Sequence, residues 1–254
     1  MAESAFQRFI RHSRHRLIYR LGGAPLEKIP PLARSTEYAF ETLARRQIPV
    51  QTFIDVGASN GSWSMKAMRY FPQSGFHLIE AQQCHRKSLE ELARSHPTVS
   101  YTLAAASDAT GSTYFDSSGG PYAGLASDRP FDGQSARDFI PSVSIDEEVN
   151  RKSLKGPFLI KLDTHGFELP ILKGASHTLQ EACALFIECY NFHPGPNGLV
   201  FWELCSFLQE KGFRPYDMVE FLHRPRDGFF WQADILFLRS ERPEFSDLKW
   251  EQGR

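Results

Sequence analysis

The sequence of 254 residues lacks several features that mark particular classes of protein. It has no apolar run approaching the roughly 18 residues of a membrane-spanning helix. Arginines interrupt the apolar residues near its beginning, so no signal peptide is predicted there. The formal net charge is only -1, which provides no overall attraction to nucleic acid. These absences favour a cytoplasmic protein without a nucleic-acid partner.

The cysteines are few and follow no recognisable spacing. They stand at positions 84, 183, 189 and 205, without a Cys-x-x-Cys pair or the spacing of zinc ligands. Cys183 and Cys189 fall within an apolar run that resembles a strand, so buried, reduced thiols are expected. Neither a disulfide framework nor a structural zinc site is predicted.

Length and composition predict one main domain with flanking segments. With 41% hydrophobic residues, the chain can bury a full core. We expect a helical N-terminal extension over 1–50, the main domain over 51–240 and a tail over 241–254. Residues 1–22 combine apolar side chains with five arginines. Packing of this basic helix on the domain is preferred to attachment to a membrane surface or a partner.

From residue 51 onward, apolar strand-like runs alternate with helical segments, which predicts an α/β fold with a doubly wound sheet and ligands at the carboxyl ends of the strands. The last two strands are joined by a loop without a helix and should pair antiparallel. Residues 111–141, rich in Gly, Ser, Pro and Asp, are predicted to be a long active-site loop. The predicted strands are 52–56, 76–80, 98–105, 157–163, 183–190, 213–219 and 231–239, and the predicted helices are 35–47, 61–71, 83–95, 144–152, 168–178 and 198–211.

The turn after the first predicted strand is the most informative motif. The segment Phe53-Ile-Asp-Val-Gly-Ala-Ser-Asn-Gly61 places Gly57 and Gly61 where the backbone can turn tightly and approach a ligand. Its spacing is not the Gly-x-Gly-x-x-Gly of a dinucleotide site. The carboxylate of Asp55 would repel a pyrophosphate but attract a ligand that carries an ammonium and a sulfonium group. S-adenosylmethionine is such a ligand.

Glu80 supports the same class of ligand. It ends the next apolar run, 19 positions after Gly61. In a βαβ unit, an acidic residue about twenty positions beyond the Gly-rich turn lies at the tip of the neighbouring strand, where it accepts hydrogen bonds from ribose hydroxyls. The alternative is that Asp55 and Glu80 are ordinary surface carboxylates at strand ends. Together with the two glycines, they favour a ligand that contains a nucleoside.

Four segments resemble the FkbM family of S-adenosylmethionine-dependent methyltransferases, and the resemblance covers roughly residues 50 to 240. The Gly-rich turn alone fits any class I methyltransferase, whereas the last segment is much more specific. The resemblance implies a Rossmann-like sheet of seven strands with an antiparallel final hairpin, and O-methylation of a hydroxyl on a sugar or natural product. The segments are Asp55-Val-Gly-Ala-Ser-Asn-Gly61, Leu78-Ile-Glu80-Ala, Ala105-Ala-Ser-Asp108 and Ile160-Lys-Leu-Asp-Thr-His-Gly-Phe-Glu-Leu-Pro-Ile-Leu-Lys-Gly-Ala175.

On this interpretation, seven residues would bind S-adenosylmethionine. Ser107 and Asp108 follow the third strand and would border the adenine, with Asp108 accepting a hydrogen bond from its amino group. The methionine and ribose parts would be held by Asp55, Gly57, Ala58, Gly61 and Glu80.

Three residues at the ends of the fourth and fifth strands are the catalytic candidates. Methyl transfer to an alcohol requires that the acceptor oxygen is held close to the methyl carbon and that the hydroxyl loses its proton. Asp163 ends the fourth strand beside the Gly57 turn, and Glu188 ends the fifth. His165 follows on the loop and is a candidate general base. The family usually has a glutamate at the position of His165, so the chain departs from the family on the acceptor side.

A divalent cation that orients the acceptor is the alternative role for this group. Asp163, His165, Glu188 and His193 are all of residue types that bind metals. Nothing in their spacing demands a metal, so none is predicted. Glu168 and His193 also have structural interpretations, the first in the opening turn of a helix and the second in a loop.

The sequence therefore predicts a class I O-methyltransferase that uses S-adenosylmethionine and acts on a hydroxylated small molecule or glycan. Two other functions are kept open. One is a non-catalytic module that retains the cofactor fold, which the histidine at position 165 suggests. The other is a methyltransferase that acts on a macromolecule.

Overall fold

A computed structural model describes residues 35–131, 139–195 and 198–247. Within these ranges no helix is both long and apolar enough to cross a membrane. The strands are β1 (Thr52–Val56), β2 (Gly75–Glu80), β3 (Val99–Leu103), β4 (Ala105–Ala106), β5 (Gly111–Asp116), β6 (Leu125–Ser127), β7 (Phe139–Val143), β8 (Phe158–Leu162), β9 (Ala182–Tyr190), β10 (Phe213–His223) and β11 (Phe230–Arg239). The helices are α1 (Thr36–Arg45), α2 (Ser62–Met68), α3 (Arg86–Ser95), α4 (Ile145–Lys152), α5 (Glu168–Lys173), α6 (Thr178–Glu181) and α7 (Phe201–Glu210).

Seven strands form the main sheet in the order β10-β11-β9-β8-β1-β2-β3. All neighbours are parallel except β11, which runs antiparallel to both β9 and β10. The chain starts in the middle of the sheet at β1, reaches the edge at β3, and then returns to β8 on the other side of β1. The predicted doubly wound sheet of seven strands, with its antiparallel final hairpin, is confirmed.

Helices cover both faces of this sheet because its central strands are apolar on both sides. Phe53 of β1 packs with buried residues of α1, α2 and α3, whereas Ile54 and Val56 pack with buried residues of α4, α5 and α7. Successive side chains of a strand point to opposite faces. The two clusters are therefore the cores of the two layers between sheet and helices.

Helix α1 belongs to the core of the domain that follows it. Its N-cap Ser35 accepts a hydrogen bond from the amide of Tyr38, and Phe40 and Leu43 are buried in the same cluster as Phe53. The predicted helix over 35–47 is confirmed, and it joins the domain that was expected to begin at residue 51. The predicted basic helix over 1–22 lies outside the described residues.

The prediction of a loop over 111–141 was wrong over its described part. This region contains β5, β6 and the first residues of β7, which form a small sheet in the order β4-β7-β5-β6. The rings of Tyr114 and Phe139 pack 4.9 Å apart, and the hydroxyl of Thr113 donates to Ser127 O at 2.8 Å. Cross-strand pairs of this kind stabilise a sheet despite the Gly and Ser residues nearby.

The predicted helix over 168–178 is divided into α5 and α6. Asp146 of α4 causes part of this break, because its carboxylate accepts hydrogen bonds from the amides of His177 and Thr178. The Thr178 hydroxyl donates to the same carboxylate at 2.6 Å. A side chain from another helix thus satisfies the amides at the start of α6.

Candidate active site

Gly57 brings three segments of the main sheet together. It has φ +71°, and a Cβ added to it would lie 2.1 Å from Asp163 O. The amides of Gly57 and Ala58 donate to Ile79 O at 3.0 and 3.2 Å. Only glycine allows this approach without strain. The carboxyl ends of β1, β2 and β8 consequently meet at this turn.

Glu80 is held at the end of β2 by two backbone amides. Ser59 N donates to Oε2 at 2.6 Å, and Gln82 N donates to Oε1 at 2.8 Å. The side chain is buried against the turn, so the alternative of an ordinary surface carboxylate does not apply. Because a carboxylate has about four acceptor positions, Glu80 can still accept from a ligand. Ser59 has φ 54°, and its amide orients this carboxylate. This role of Ser59 was not predicted from the sequence.

We call the cavity beside this carboxylate the Glu80 cleft. Its walls are mostly apolar, with a few polar groups between them, which is typical of small-molecule sites. The small sheet supplies one side of it. The lining residues are Val56, Gly57, Ser59, Ile79, Glu80, Ala81, Gln82, Ala104, Ala105, Ala106, Phe115, Pro121, Tyr122, Gly124, Ala126, Asp163, Thr164, His165, Phe167 and Ile171.

Ser107 and Asp108, predicted to border an adenine, do not line this cleft. They line a separate, more polar cavity with Tyr114 and Lys173. The reason is that β4 leaves the main sheet and pairs with β7, so that the residues after it enter the small sheet. Their place on the cleft wall is taken by Ala104, Ala105 and Ala106.

Asp55, predicted to attract a positively charged ligand, has no exposed surface and does not line the Glu80 cleft. Lys161 stands opposite it in the β1–β8 ladder, with Nζ 3.0 Å from Oδ1. The hydroxyl of Ser64 donates to Oδ2 at 2.7 Å. A buried carboxylate requires such partners. Asp55 therefore acts inside the protein, and the predicted direct contact with a ligand does not fit the structure.

Gly61 serves packing rather than the cleft. It has φ +81°, and an added Cβ would lie 2.6 Å from a methyl carbon of Leu92 on α3. It does not line the Glu80 cleft. The turn makes a close contact with α3 at this residue, and its contact with the cofactor stays a prediction.

Lys161 connects the Gly57 turn with the catalytic candidates. Its Nζ donates to Gly57 O at 2.9 Å and lies 3.5 Å from Asp163 Oδ2, in addition to its pairing with Asp55. Its role was missed in the sequence analysis. A lysine within an otherwise apolar strand was the available signal, because a buried ammonium must be paired.

Asp163, His165 and Glu188 converge as predicted. Nε2 of His165 lies 3.4 Å from Asp163 Oδ1 and 3.7 Å from Glu188 Oε2. Nδ1 of the same ring lies 3.2 Å from the carbonyl oxygen of Gly124, directly before β6. The three side chains come from the loop after β8 and from β9, so parallel pairing of these strands brings them to one edge of the sheet.

The antiparallel strand β11 adds polar groups that were not predicted. Gln232 of β11 donates to Glu188 Oε1, and Tyr190, two residues after Glu188 on β9, donates to Glu188 Oε2. Asp234 stands directly opposite Glu188 in the ladder between β9 and β11. Burial, together with the carboxylates of Glu188 and Asp163, raises the pKa of Asp234 well above its usual range. Alternating polar residues on this strand were the signal that could have revealed them.

The turn that carries His165 has unusual backbone geometry. His165 has φ +57° and Gly166 has φ +108°. A left-handed conformation at a residue with a Cβ costs about 1–2 kcal/mol, and such positions cluster at functional sites. Buried Glu168 stabilises the turn by accepting from Gly166 N at 3.0 Å and from the Thr164 hydroxyl at 3.1 Å. Burial raises the pKa of Glu168, and the hydrogen bonds to its carboxylate oppose that rise only in part. The predicted structural role of Glu168 agrees with this position.

His193 lies apart from the catalytic candidates. Its side chain is 62% exposed, lies 3.8 Å from Glu203 and contacts Gly198 O at 2.9 Å. The structure thus agrees with the loop interpretation.

A second cavity of about 510 Å³, which we call the Glu188 cleft, adjoins the first. Its size is within the range of roughly 300–1,000 Å³ usual for small-molecule sites. The two clefts share Gly57, Ser59, Asp163 and His165. The lining residues of the Glu188 cleft are Thr36, Gly57, Ala58, Ser59, Ser62, Trp63, Lys66, Lys161, Asp163, His165, Glu188, Glu220, Phe221, Leu222, Gln232 and Asp234.

A doubly wound sheet in this order, with one antiparallel strand inserted beside β9 and a cleft at the end of β1, defines a class I methyltransferase fold. Residues 55–215, which are 161 of the 254 residues, match the family model described as the methyltransferase FkbM domain. The chain belongs to the FkbM methyltransferase domain family. A comparison with functionally curated proteins found no match.

Several solved structures are similar to this chain. A methyltransferase FkbM from Methylobacillus flagellatus is 18% identical, with a TM-score of 0.48, and the alignment covers 73% of this chain and 43% of that one. This chain thus corresponds to less than half the length of that relative. A precorrin-6y C5,15-methyltransferase from Geobacter metallireducens is 10% identical, with a TM-score of 0.43 and coverage of 80% and 87%. An O-methyltransferase family protein from Burkholderia thailandensis is 11% identical, with a TM-score of 0.41 and coverage of 81% and 56%.

Proposed function

We propose that this protein is an S-adenosylmethionine-dependent methyltransferase that O-methylates a hydroxyl of a sugar, a glycan or a natural product. The observation that carries the proposal is that two clefts of different character meet at Gly57, Ser59, Asp163 and His165. Transfer between two ligands requires adjoining sites whose reacting atoms meet at a shared wall. Family membership supplies the reaction class.

The Glu80 cleft offers a carboxylate and apolar walls that would suit the nucleoside part of S-adenosylmethionine. Glu80 would accept from the ribose hydroxyls with the oxygens that already accept from Ser59 and Gln82. Ile79 and Phe167 supply apolar surface that suits a purine ring. When bound, the cofactor supplies a methyl group activated by the sulfonium beside it.

The Glu80 cleft has room for only about 60 Å³, so a nucleoside enters it only if a wall moves. The wall formed by the connection between β5 and β6 is held by side-chain contacts. His85 Nε2 lies 2.6 Å from Pro121 O, and Gln82 Nε2 donates to Gly120 O at 3.3 Å. Exchanging these two contacts for contacts with the ligand would open the cleft.

The Glu188 cleft would receive the acceptor. Asp163, His165 and Glu188 offer acceptors for hydroxyl hydrogens, and Gln232 adds an amide. Sugars and related natural products carry several hydroxyls, and their recognition uses such polar side chains. The three catalytic candidates would orient an acceptor hydroxyl and take part in removing its proton.

Calorimetry with S-adenosylmethionine tests the first part of this proposal. Glu80→Ala removes two charge-assisted hydrogen bonds to ribose, so its binding should be weaker by about 2–4 kcal/mol. Glu91→Ala is the matched control, because that glutamate is exposed on α3, and its affinity should equal that of the unmodified protein. Unchanged affinity in Glu80→Ala would remove Glu80 from the site. If the unmodified protein does not bind at all, the whole proposal fails.

Incubation with methyl-labelled cofactor and a panel of sugars and hydroxylated natural products tests the second part. Transfer of the labelled methyl group to an acceptor supports O-methylation if the bond formed resists hydrolysis, because a methyl ether does so. Cofactor binding without transfer to any acceptor would favour the non-catalytic module. Label in protein or nucleic acid would favour the macromolecular acceptor.

A further inference from the structure

The spacing of the ligand atoms around His165 suits a metal ion. One ligand atom from each of Asp163, His165 and Glu188 lies within 4.8 Å of the others. Adjacent ligands of a six-coordinate cation with bonds of about 2.1 Å lie roughly 3 Å apart. The separations of 3.4 and 3.7 Å from Nε2 are slightly longer. Shifts of roughly half an ångström would let one ion contact all three side chains.

The hydrogen-bond partner of Nδ1 determines which nitrogen of His165 can bind an ion. Gly124 O can only accept, so Nδ1 carries the hydrogen in that 3.2 Å contact. In a neutral ring, Nε2 then presents its lone pair toward Asp163 and Glu188. Histidines that bind metals commonly donate their other N–H to a backbone carbonyl in this way.

Carboxyl groups accumulate around the same point. Asp234 stands opposite Glu188 on β11 and lines the Glu188 cleft with it. Glu220 also lines the Glu188 cleft. The ammonium of Lys161 is shared between Asp55 and Asp163. A divalent cation would offset this concentration of carboxylates.

We propose that Asp163, His165 and Glu188 form a binding site for one divalent cation at the wall shared by the two clefts. Two carboxylates with one imidazole favour a cation that accepts both oxygen and nitrogen ligands, and Mn²⁺ is the probe of choice. The site stands on the geometry alone, whereas its role rests on the proposed function. In that role the ion would bind the oxygen of the acceptor hydroxyl and make it more acidic, so that its proton passes more readily to water.

Electron paramagnetic resonance of Mn²⁺ tests the site on the full chain without a methyl-transfer assay. The signal of the hydrated ion should decrease with saturation at one Mn²⁺ per chain. His165→Gln and Asp163→Asn each remove one of three protein ligands, so each should weaken binding by at least about tenfold. Asp163→Asn is included because the backbone at position 165 is left-handed, so a substitution there can also impair folding.

His193→Gln is the matched control. His193 also lies near a carboxylate, but it is exposed and outside the cluster, so its substitution should leave Mn²⁺ binding unchanged. The proposal is overturned if the unmodified protein shows no saturable binding. It is also overturned if a folded Asp163→Asn protein binds as tightly as the unmodified one, or if His193→Gln loses as much affinity.

Calorimetry with S-adenosylmethionine in the presence of a chelator separates this proposal from the previous one. Binding of the cofactor by a protein that does not bind Mn²⁺ would overturn the cation site and leave the methyltransferase function intact. Saturable binding of Mn²⁺ by a protein that does not bind the cofactor would support the site and overturn the proposed function.

Discussion

Gly57 lies where the end of β1 meets the loop after β8, and both clefts depend on its conformation. Gly57→Ala would place a methyl group at φ +71° and 2.1 Å from Asp163 O. The left-handed backbone alone costs about 1–2 kcal/mol, and the steric contact should add about 1–3 kcal/mol. Unfolding in urea should show both costs as a lower free energy of unfolding.

Gly228→Ala provides the matched control for this substitution. Gly228 also has φ +71°, but nothing lies within 4 Å of a Cβ placed there, so only the backbone cost applies. Gly57→Ala should therefore be the more destabilising of the two by about 1–3 kcal/mol. Equal losses of stability would mean that the loop carrying Asp163 moves aside freely.

At the scale of elements, a buried polar network joins α4 to β2 and β3. Glu148 of α4 lies 3.0 Å from Nε2 of His77 and accepts from the Thr102 hydroxyl at 2.7 Å and from Arg151 Nε at 2.9 Å. Burial raises the pKa of Glu148, but hydrogen bonds from His77, Thr102 and Arg151 outweigh it and lower this pKa to about 2. The charged carboxylate is thus stabilised by folding.

This lowered pKa predicts a loss of stability in acid. The carboxylate binds its proton more weakly in the folded than in the unfolded protein. Its contribution to the free energy of unfolding is therefore complete above about pH 4.5 and is lost as the pH falls toward 2. The shift corresponds to about 3 kcal/mol, and screening at the half-exposed Arg151 should reduce this to about 2 kcal/mol. The free energy of unfolding of the unmodified protein should exceed that of Glu148→Gln at pH 7, and the difference should shrink by this amount at pH 2.

Glu147→Gln is the control for the acid titration, because Glu147 is exposed on the same helix. Its stability should follow that of the unmodified protein at every pH. A difference between the unmodified protein and Glu148→Gln that stays constant from pH 7 to pH 2 would contradict the charged network.

At the scale of the whole molecule, α1 extends the folded unit to residues before position 51. Phe40 has no exposed surface and packs 4.8 Å from Trp63 and 6.1 Å from Phe186 between ring centroids. Loss of a buried phenylalanine side chain costs about 3–5 kcal/mol. We therefore expect Phe40→Ala to lower the free energy of unfolding by this amount.

A chain of residues 51–254 should not fold at all. It lacks both Phe40 and Leu43, and the combined loss is comparable to the 5–15 kcal/mol that stabilises a typical domain. Circular dichroism during heating would show no cooperative transition. Cooperative unfolding of this fragment at the temperature of the intact chain would place the boundary at residue 51 after all.

Local chemistry in the sequence was sufficient for much of the fold. Strands such as 52–56 are short apolar runs ended by glycine, and their alternation with amphipathic helices specifies a doubly wound sheet. In such a sheet, residues at the carboxyl ends of neighbouring parallel strands meet at one edge. For this reason the sequence could predict that Glu80 faces a cleft and that Asp163, His165 and Glu188 converge.

Only the tertiary structure decided which groups face one another. Asp55 could not be assigned to Lys161, because that pairing depends on the register between β1 and β8, strands more than a hundred positions apart. Ser107 and Asp108 were displaced by the departure of β4 into a second sheet, which periodicity does not reveal. Residue type and spacing determine local conformation and the chemistry that the side chains can perform, whereas pairing over long distances sets the partners, burial and charge of each site.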